Sequence, residues 1–218
     1  MTYQEIIHNE TIRAYIRKAD ESLIALGYTE HSFAHVTHVA ETVRYILETL
    51  EYDAHTVEIA QIAGYLHDIG NLVNRVEHSQ SGAVMAFRIL DKMGMEPEEL
   101  SEVVTAIGNH DEGTGRPVSP MAAALILADK SDVRRSRVRN RDESAFDIHD
   151  RVNYSVRKSE LKINESRTLI KLKLSVDTHY GSVMDYFEIF MARMILCRKA
   201  AESLGLQFKL MINEQQLI

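Results

Sequence analysis

The chain has 218 residues, of which 45% are hydrophobic and 26% charged, and its formal net charge is −7. This composition is typical of a folded globular protein and excludes a largely disordered chain. The negative charge argues against general binding to nucleic acid or to anionic membranes. No apolar stretch is long enough to span a bilayer and the N-terminus lacks a signal-peptide pattern, so we expect a cytoplasmic protein.

Helical periodicity dominates the first two thirds of the chain. Gly27 ends the first helical pattern, and Ser119 and Pro120 are favourable residues at the start of the last one. These patterns predict a mainly α-helical domain over residues 1–145. The predicted helices span residues 2–26, 32–50, 54–68, 80–94, 97–109 and 120–136.

The pattern changes after about residue 145, where short alternating segments appear. Their ββαβ order predicts a small α+β domain over residues 146–218, with a helix covering one face of a sheet. This domain either extends the substrate pocket or helps to form a homodimer. The single Cys197 lies in the helical pattern, and we expect it to pack in the core. The segments are strands at 152–156, 161–163, 168–176 and 207–212, and a helix at 181–204.

A His-Asp doublet, His67 and Asp68, follows an apolar helical segment, and one residue separates it from Gly70. Adjacent residues on a helix point about 100° apart, so one cation reaches both side chains only near a helix end, where glycine relaxes the backbone. Imidazole and carboxylate together suit zinc, iron, manganese or nickel better than calcium. The doublet alone is unspecific, because such dipeptides also arise by chance.

Other polar residues lie where a packed core would prefer carbon. Asp129 ends residues 122–128, an apolar run without another charge. An ionised carboxylate there would protonate or destabilise the fold unless it had a partner, and a cation is the simplest one. His35 lies at the margin of an apolar helical stripe. We therefore predict a buried metal site whose ligands are His35, His67, Asp68, His78, His110 and Asp129.

In their order and helical context, four of these residues resemble the signature of the HD superfamily of metal-dependent phosphohydrolases. That signature is a His, a His-Asp doublet and a distant Asp, here His35, His67, Asp68 and Asp129. The resemblance covers roughly residues 29–141 and implies an all-α bundle. His78 and His110 resemble the added ligands of the two-metal subset, in which the doublet carboxylate bridges the ions. Among its branches, the chain most resembles the small bacterial one that hydrolyses dinucleoside polyphosphates.

The resemblance implies a phosphohydrolase that cleaves an ester or anhydride of a small molecule, with a nucleotide as the favoured substrate. Two divalent ions (Fe, Mn, Ni, Co or Zn, with Mg as a further candidate) would activate water, and His67 and Asp68 would be central to catalysis. The basic run after Asp129 supplies two candidate phosphate contacts, and a solvated surface is its alternative interpretation. The predicted substrate contacts are Lys130, Arg134 and His31.

Departures from better-characterised branches limit the substrate assignment. After the doublet, Ile69-Gly70-Asn71 lacks the features expected of cyclic-dinucleotide phosphodiesterases and of alarmone hydrolases. Two other functions stay open at this point. One is a di-iron oxygenase, and the other is a non-catalytic module that senses a nucleotide or holds a metal.

Overall fold

The computed structural model describes residues 1–217, apart from the side chains of Ala145 and Val183. A helical domain is followed by a small sheet with one long helix, which confirms the predicted fold class. The α-helices are α1 (Tyr3–Ile7), α2 (Glu10–Ala25), α3 (Phe33–Thr49), α4 (Ala54–Leu66), α5 (His78–Lys92), α6 (Pro97–Gly108), α7 (Pro120–Ser131), α8 (Ile148–Ser155) and α9 (Val183–Ser203). The strands are β1 (Val156–Ile163), β2 (Leu169–Val176), β3 (Gln207–Ile212) and β4 (Gln215–Gln216), and 3₁₀ turns lie at Ile69–Leu72, Arg135–Arg137 and Glu143–Ala145.

The C-terminal sheet has the strand order β1-β2-β3-β4. β1 and β2 form an antiparallel hairpin, whereas β3 returns parallel to β2 after the long α9 helix. Leu172 and Leu174 of β2 are fully buried. Lys171 and Lys173 alternate with them and therefore point to the opposite face, as the sequence pattern predicted.

Helix α7 lies at the centre of the molecule, packed against both α3 and α9. Its apolar run is buried on every side, because the helical domain covers one flank and the C-terminal helix covers another. One continuous hydrophobic cluster accordingly extends from Val39 of α3 to Met194 of α9 and Leu210 of β3. The domain boundary near residue 145 remains a prediction.

Several predicted element boundaries were wrong, each for a local reason. The predicted helix 2–26 is two helices, because the Asn9 side chain caps α2 by accepting from the backbone N–H groups of Thr11 and Ile12. The predicted helix 80–94 begins at His78. The predicted helix 120–136 ends at Ser131, since Asp132 leaves helical geometry. Most of the predicted strand 152–156 is the end of α8.

Cys197 is buried in α9 and forms no disulfide, which confirms its predicted place in the core. Burial raises the pKa of its thiol to about 12, so it is a packing residue and not a nucleophile. Among the described residues, no helix combines the length and apolar character that a bilayer span requires.

Gly70 allows the 3₁₀ turn after the doublet to lie directly against the first turn of α5. A Cβ atom at this position would overlap the backbone carbonyl oxygen of His78 and the amide nitrogen of Gly82. We predict that Gly70→Ala lowers the free energy of unfolding by about 3 kcal/mol, because neither backbone group can move aside freely. Urea unfolding followed by circular dichroism measures this difference.

Gly108→Ala is the matched control, because a Cβ there meets only ordinary contacts, the nearest being Ala83 Cβ at 3.7 Å. We expect its stability to be unchanged or slightly raised by the better helix propensity of alanine. Equal stability of the two variants would show that Gly70 is not a constrained contact.

Candidate metal centre

The six predicted ligands come together in one buried cluster, although they are spread over ninety-five positions of the chain. Each lies at or near a helix end: in the first turn of α3 or α5, just after α4 or α6, or in the last turn of α7. Their exposed fractions range from 0% to 9%. The cluster consists of His35, His67, Asp68, His78, His110 and Asp129.

One half of the cluster is built around the Nε2 atoms of His35 and His67. His35 Nε2 lies 3.5 Å from Asp68 Oδ2 and 3.4 Å from Asp129 Oδ1. His67 Nε2 lies 3.3 Å from Asp68 Oδ2 and 3.7 Å from Asp129 Oδ1. One donor atom from each of His35, His67 and Asp129 lies within 4.8 Å of the other two, a spacing at which they can share a metal ion.

The other half faces the second oxygen of Asp68. His78 Nε2 lies 3.4 Å from Asp68 Oδ1 and 3.2 Å from His110 Nε2. His67, Asp68 and His110 also form a group whose ligand atoms lie within 4.8 Å of one another. Asp68 therefore presents one oxygen to His35 and His67 and the other to His78.

Hydrogen bonds made by the Nδ1 atoms of three rings fix where the ring protons lie. His67 Nδ1 lies 2.8 Å from the Gly64 carbonyl, His110 Nδ1 lies 2.7 Å from the Ile107 carbonyl, and His78 Nδ1 lies 3.1 Å from the carbonyl of Arg75. A carbonyl oxygen only accepts, so each Nδ1 carries the proton and donates it. In the neutral ring Nε2 is then an unprotonated acceptor, which is the form that binds metals.

In His35 the proton is held on Nδ1 in the same way, by a side chain distant in sequence. Its Nδ1 donates to Asp132 Oδ2 at 2.7 Å, and Asp132 is only 1% exposed. Burial raises the pKa of Asp132, but hydrogen bonds from His35 and Arg134 and the charge of Arg137 outweigh it and hold the pKa well below its usual range. A carboxylate behind a metal-binding histidine is a frequent second layer of support.

The ligand atoms of the cluster are better suited to binding a cation than to hydrogen-bonding with one another. His35 Nε2, His67 Nε2 and Asp68 Oδ2 are buried and have no hydrogen-bond partner among the described residues. In the neutral rings, two unprotonated nitrogens, those of His78 and His110, face each other at 3.2 Å. Unpartnered buried acceptors are costly, whereas divalent cations would satisfy all of them at once.

The pKa shifts set His78 and His110 apart from His35 and His67, whose pKa values are both raised. Burial lowers the pKa of His78 and of His110, which favours their neutral rings. Burial also opposes the charged form of His67, but Asp68 and Asp129 outweigh it and raise the pKa of His67 to about 10. A proton on His67 and a cation beside these carboxylates would therefore compete for the same place.

The three predicted substrate contacts have different surroundings. Lys130 is buried, with Nζ 2.6 Å from Asp129 Oδ2, and Arg134 is bound to Asp132 and Glu30. His31 precedes α3, and its ring centroid lies 5.5 Å from that of His35. His31 lines a cavity beside the cluster, whereas Lys130 and Arg134 are not among its lining residues.

This cavity, of about 480 Å³, lies between the helical domain and helices α8 and α9. It reaches the cluster at Arg75, whose Nη1 is 3.8 Å from Asp68 Oδ1. Sequence reasoning did not single out two of its lining residues, Arg75 and Arg193. A usable signal existed for Arg193, which is the one charge within the apolar run 189–197. The lining residues are Leu26, Gly27, Tyr28, Thr29, His31, Arg75, Glu112, Arg137, Asp147, His149, Asp150, Asn153, Ile189, Phe190 and Arg193.

Comparisons with known proteins identify a family and two similar proteins. An uncharacterized protein of Methanocaldococcus jannaschii is 25% identical over 192 residues, which cover 78% of this chain and 74% of that protein. A crystal structure of a predicted HD superfamily hydrolase from an uncultured Thermotogales bacterium is 28% identical, with a TM-score of 0.47. The match covers 61% of this chain and 75% of the Thermotogales protein. The model of the HD domain matches residues 32–151, which include all six clustered ligands, and the chain belongs to the HD domain family.

Proposed function

We propose that the protein is a metal-dependent phosphohydrolase that cleaves a phosphate ester or anhydride of a small molecule. The observation that carries this proposal is the convergence of four imidazole Nε2 atoms and two carboxylates beside a cavity lined by arginines. Membership of the HD domain family, whose model matches residues 32–151, supports a hydrolase. The cavity volume of about 480 Å³ suits a small-molecule ligand, since such pockets typically measure roughly 300–1,000 Å³.

The ligand atoms divide between two ions. His35, His67 and Asp129 would hold the first, and His78 and His110 would hold the second, with Asp68 shared because its oxygens face both sets. The chemistry that divalent cations supply at such a site is Lewis acidity, which lowers the pKa of water and neutralises charge on phosphoryl oxygens. Fe, Mn, Ni, Co and Zn, with Mg, remain the candidate ions.

The protein's own groups orient these ligands and keep bulk water away. Asp132 and the Gly64 carbonyl hold the ring protons of His35 and His67 on the outer nitrogens, so the inner nitrogens stay available. Burial of the cluster strengthens every electrostatic interaction with a bound phosphate. No serine or cysteine nucleophile is required, which agrees with the inert, buried Cys197.

A nucleotide is the favoured substrate class within this proposal, in line with the sequence resemblance to the dinucleoside-polyphosphate-hydrolysing branch. The polar lining of the cavity, with His31 near the cluster, supports a ligand that carries hydrogen-bonding groups as well as phosphate. Nucleic acid and membranes are not proposed as partners, since the net charge of −7 disfavours general binding to either.

The first test is turnover by ligand variants. We predict that His67→Ala and Asp68→Ala each lower metal-dependent phosphate release by on the order of 1,000-fold or more, because a ligand to the Lewis acid is lost. Activity is measured on a panel of nucleotides and phosphomonoesters after loading with Mn, Co, Ni or Fe(II). His55→Ala is the control, because His55 is exposed near the start of α4 and pairs with Glu99.

Circular dichroism should show the same helical content in all three variants. Wild-type turnover in folded, metal-loaded His67→Ala or Asp68→Ala would overturn the proposed function. Oxygen consumption that requires iron, without phosphate release, would assign the site to oxygenase chemistry instead.

The second test is metal stoichiometry. We predict two ions per chain in the wild-type protein and about one in His78→Ala and in His110→Ala, since these histidines complete only the second site. Elemental analysis of protein purified without chelator measures the ratio. His179→Ala, which changes an exposed histidine near the sheet, should retain two ions. A ratio of one in the wild-type protein would refute the two-ion arrangement.

A further inference from the structure

The cations predicted to bind phosphate are already occupied by protein carboxylates. Lys130 Nζ lies 2.6 Å from Asp129 Oδ2 and 3.5 Å from Glu112 Oε1. Arg134 Nε donates to Asp132 Oδ1 at 2.7 Å, and its Nη2 lies 3.2 Å from Glu30 Oε2. Neither side chain is among the residues that line the cavity, which favours other residues as phosphate contacts.

Arg193 of α9 is a partly satisfied guanidinium in the cavity wall. Its Nε donates to Glu112 Oε1 at 2.7 Å, and its guanidinium carbon lies 4.2 Å from the ring centroid of Phe190. Within residues 1–217, neither terminal nitrogen of Arg193 has a hydrogen-bond acceptor. The side chain is only 18% exposed, so it is held in place with free donors turned to a confined space.

Arg75 is the second such group, and it comes from the segment between the 3₁₀ turn and α5. Its Nη1 donates to Asn71 Oδ1 at 3.3 Å, while Nε and Nη2 have no acceptor in the part of the chain that the structure describes. Its guanidinium carbon lies 6.0 Å from the ring centroid of Tyr28. Both arginines therefore combine an anchor on one side with unused donors on the other.

The neighbouring carboxylates leave these donors unused. Glu112 pairs with both Lys130 and Arg193 but accepts from Arg193 only at Nε. The carboxylate nearest to Arg75 is Asp68, which the cluster already uses. The unused N–H groups of the two arginines match the acceptor oxygens of a phosphate group.

We infer that Arg75 and Arg193 bind the phosphate group of the substrate, so that the C-terminal helix α9 supplies part of the active site. This inference rests on the proposed function. Each guanidinium would donate two N–H groups to phosphate oxygens, a planar geometry that lysine cannot reproduce. The ligand class is an organic phosphate, and its phosphate lies between the metal-ligand cluster and α9.

Binding of phenylphosphonate, a non-hydrolysable analogue of phenyl phosphate, tests the inference without turnover. Isothermal titration calorimetry on metal-loaded protein should show binding weakened about 10-fold or more in Arg193→Gln and in Arg75→Gln, since each loses a charged hydrogen bond. Arg198→Gln on α9 and Arg88→Gln on α5 are matched controls, because both residues are exposed. Unchanged affinity in Arg193→Gln or Arg75→Gln would overturn the inference.

A second variant separates phosphate binding from a structural role. Glu112→Gln removes the partner of Arg193 and Lys130, so it should tighten phenylphosphonate binding, whereas Arg193→Gln weakens it. If Arg193 merely held Glu112 in place, the two substitutions would change affinity in the same direction, and the inference would be wrong. Arg193→Lys should bind with intermediate affinity, because it restores charge without the planar fork.

The two proposals fail in distinguishable ways. Arginine-dependent phenylphosphonate binding with no hydrolysis of any phosphate ester would refute the phosphohydrolase and leave a phosphate-binding site that includes α9. Hydrolysis that ligand variants abolish, with affinity that does not depend on either arginine, would retain the enzyme and refute the arginine assignment.

Discussion

The structure depends on one electrostatic constraint, which is the burial of two carboxylates and four imidazoles around a common space. Asp68 and Asp129 lie in surroundings where an uncompensated charge would cost several kcal/mol. The histidines direct their acceptor nitrogens at the same carboxylates. Acceptor atoms therefore face one another unless the rings hold protons or metal ions. Divalent cations would remove both problems, and with them bound a packed helical core would tolerate so many polar atoms.

Local backbone geometry supplies most of this arrangement. His67, His78 and His110 each donate Nδ1–H to the carbonyl of the residue three positions earlier, near a helix end. The same device therefore selects the metal-binding tautomer three times. His35 is the exception, because its partner Asp132 lies ninety-seven residues away and joins α3 to the end of α7.

The sequence was sufficient to predict the fold class and the six residues that converge, because order and helical context constrain both. It did not reveal how the second layer is arranged. Asp132 could not be identified as the partner of His35, since nothing in its sequence neighbourhood shows that α3 brings His35 to it. Lys130 and Arg134 were favoured as substrate contacts for their closeness in sequence to Asp129. Three-dimensional packing instead pairs them with carboxylates and leaves Arg75 and Arg193 facing the cavity.

The position of Arg193 bears on why a sheet and a long helix follow the helical domain. If α9 only covered α7, an apolar side chain would fill this position at lower cost, because a buried guanidinium must recover its lost hydration. The ion pair with Glu112 recovers part of that loss, and the ring of Phe190 supports the planar group. The terminal nitrogens still face the cavity without acceptors among the described residues. An anionic ligand would complete their hydrogen bonding, so the C-terminal part is better explained as one wall of the site than as a cover for the core.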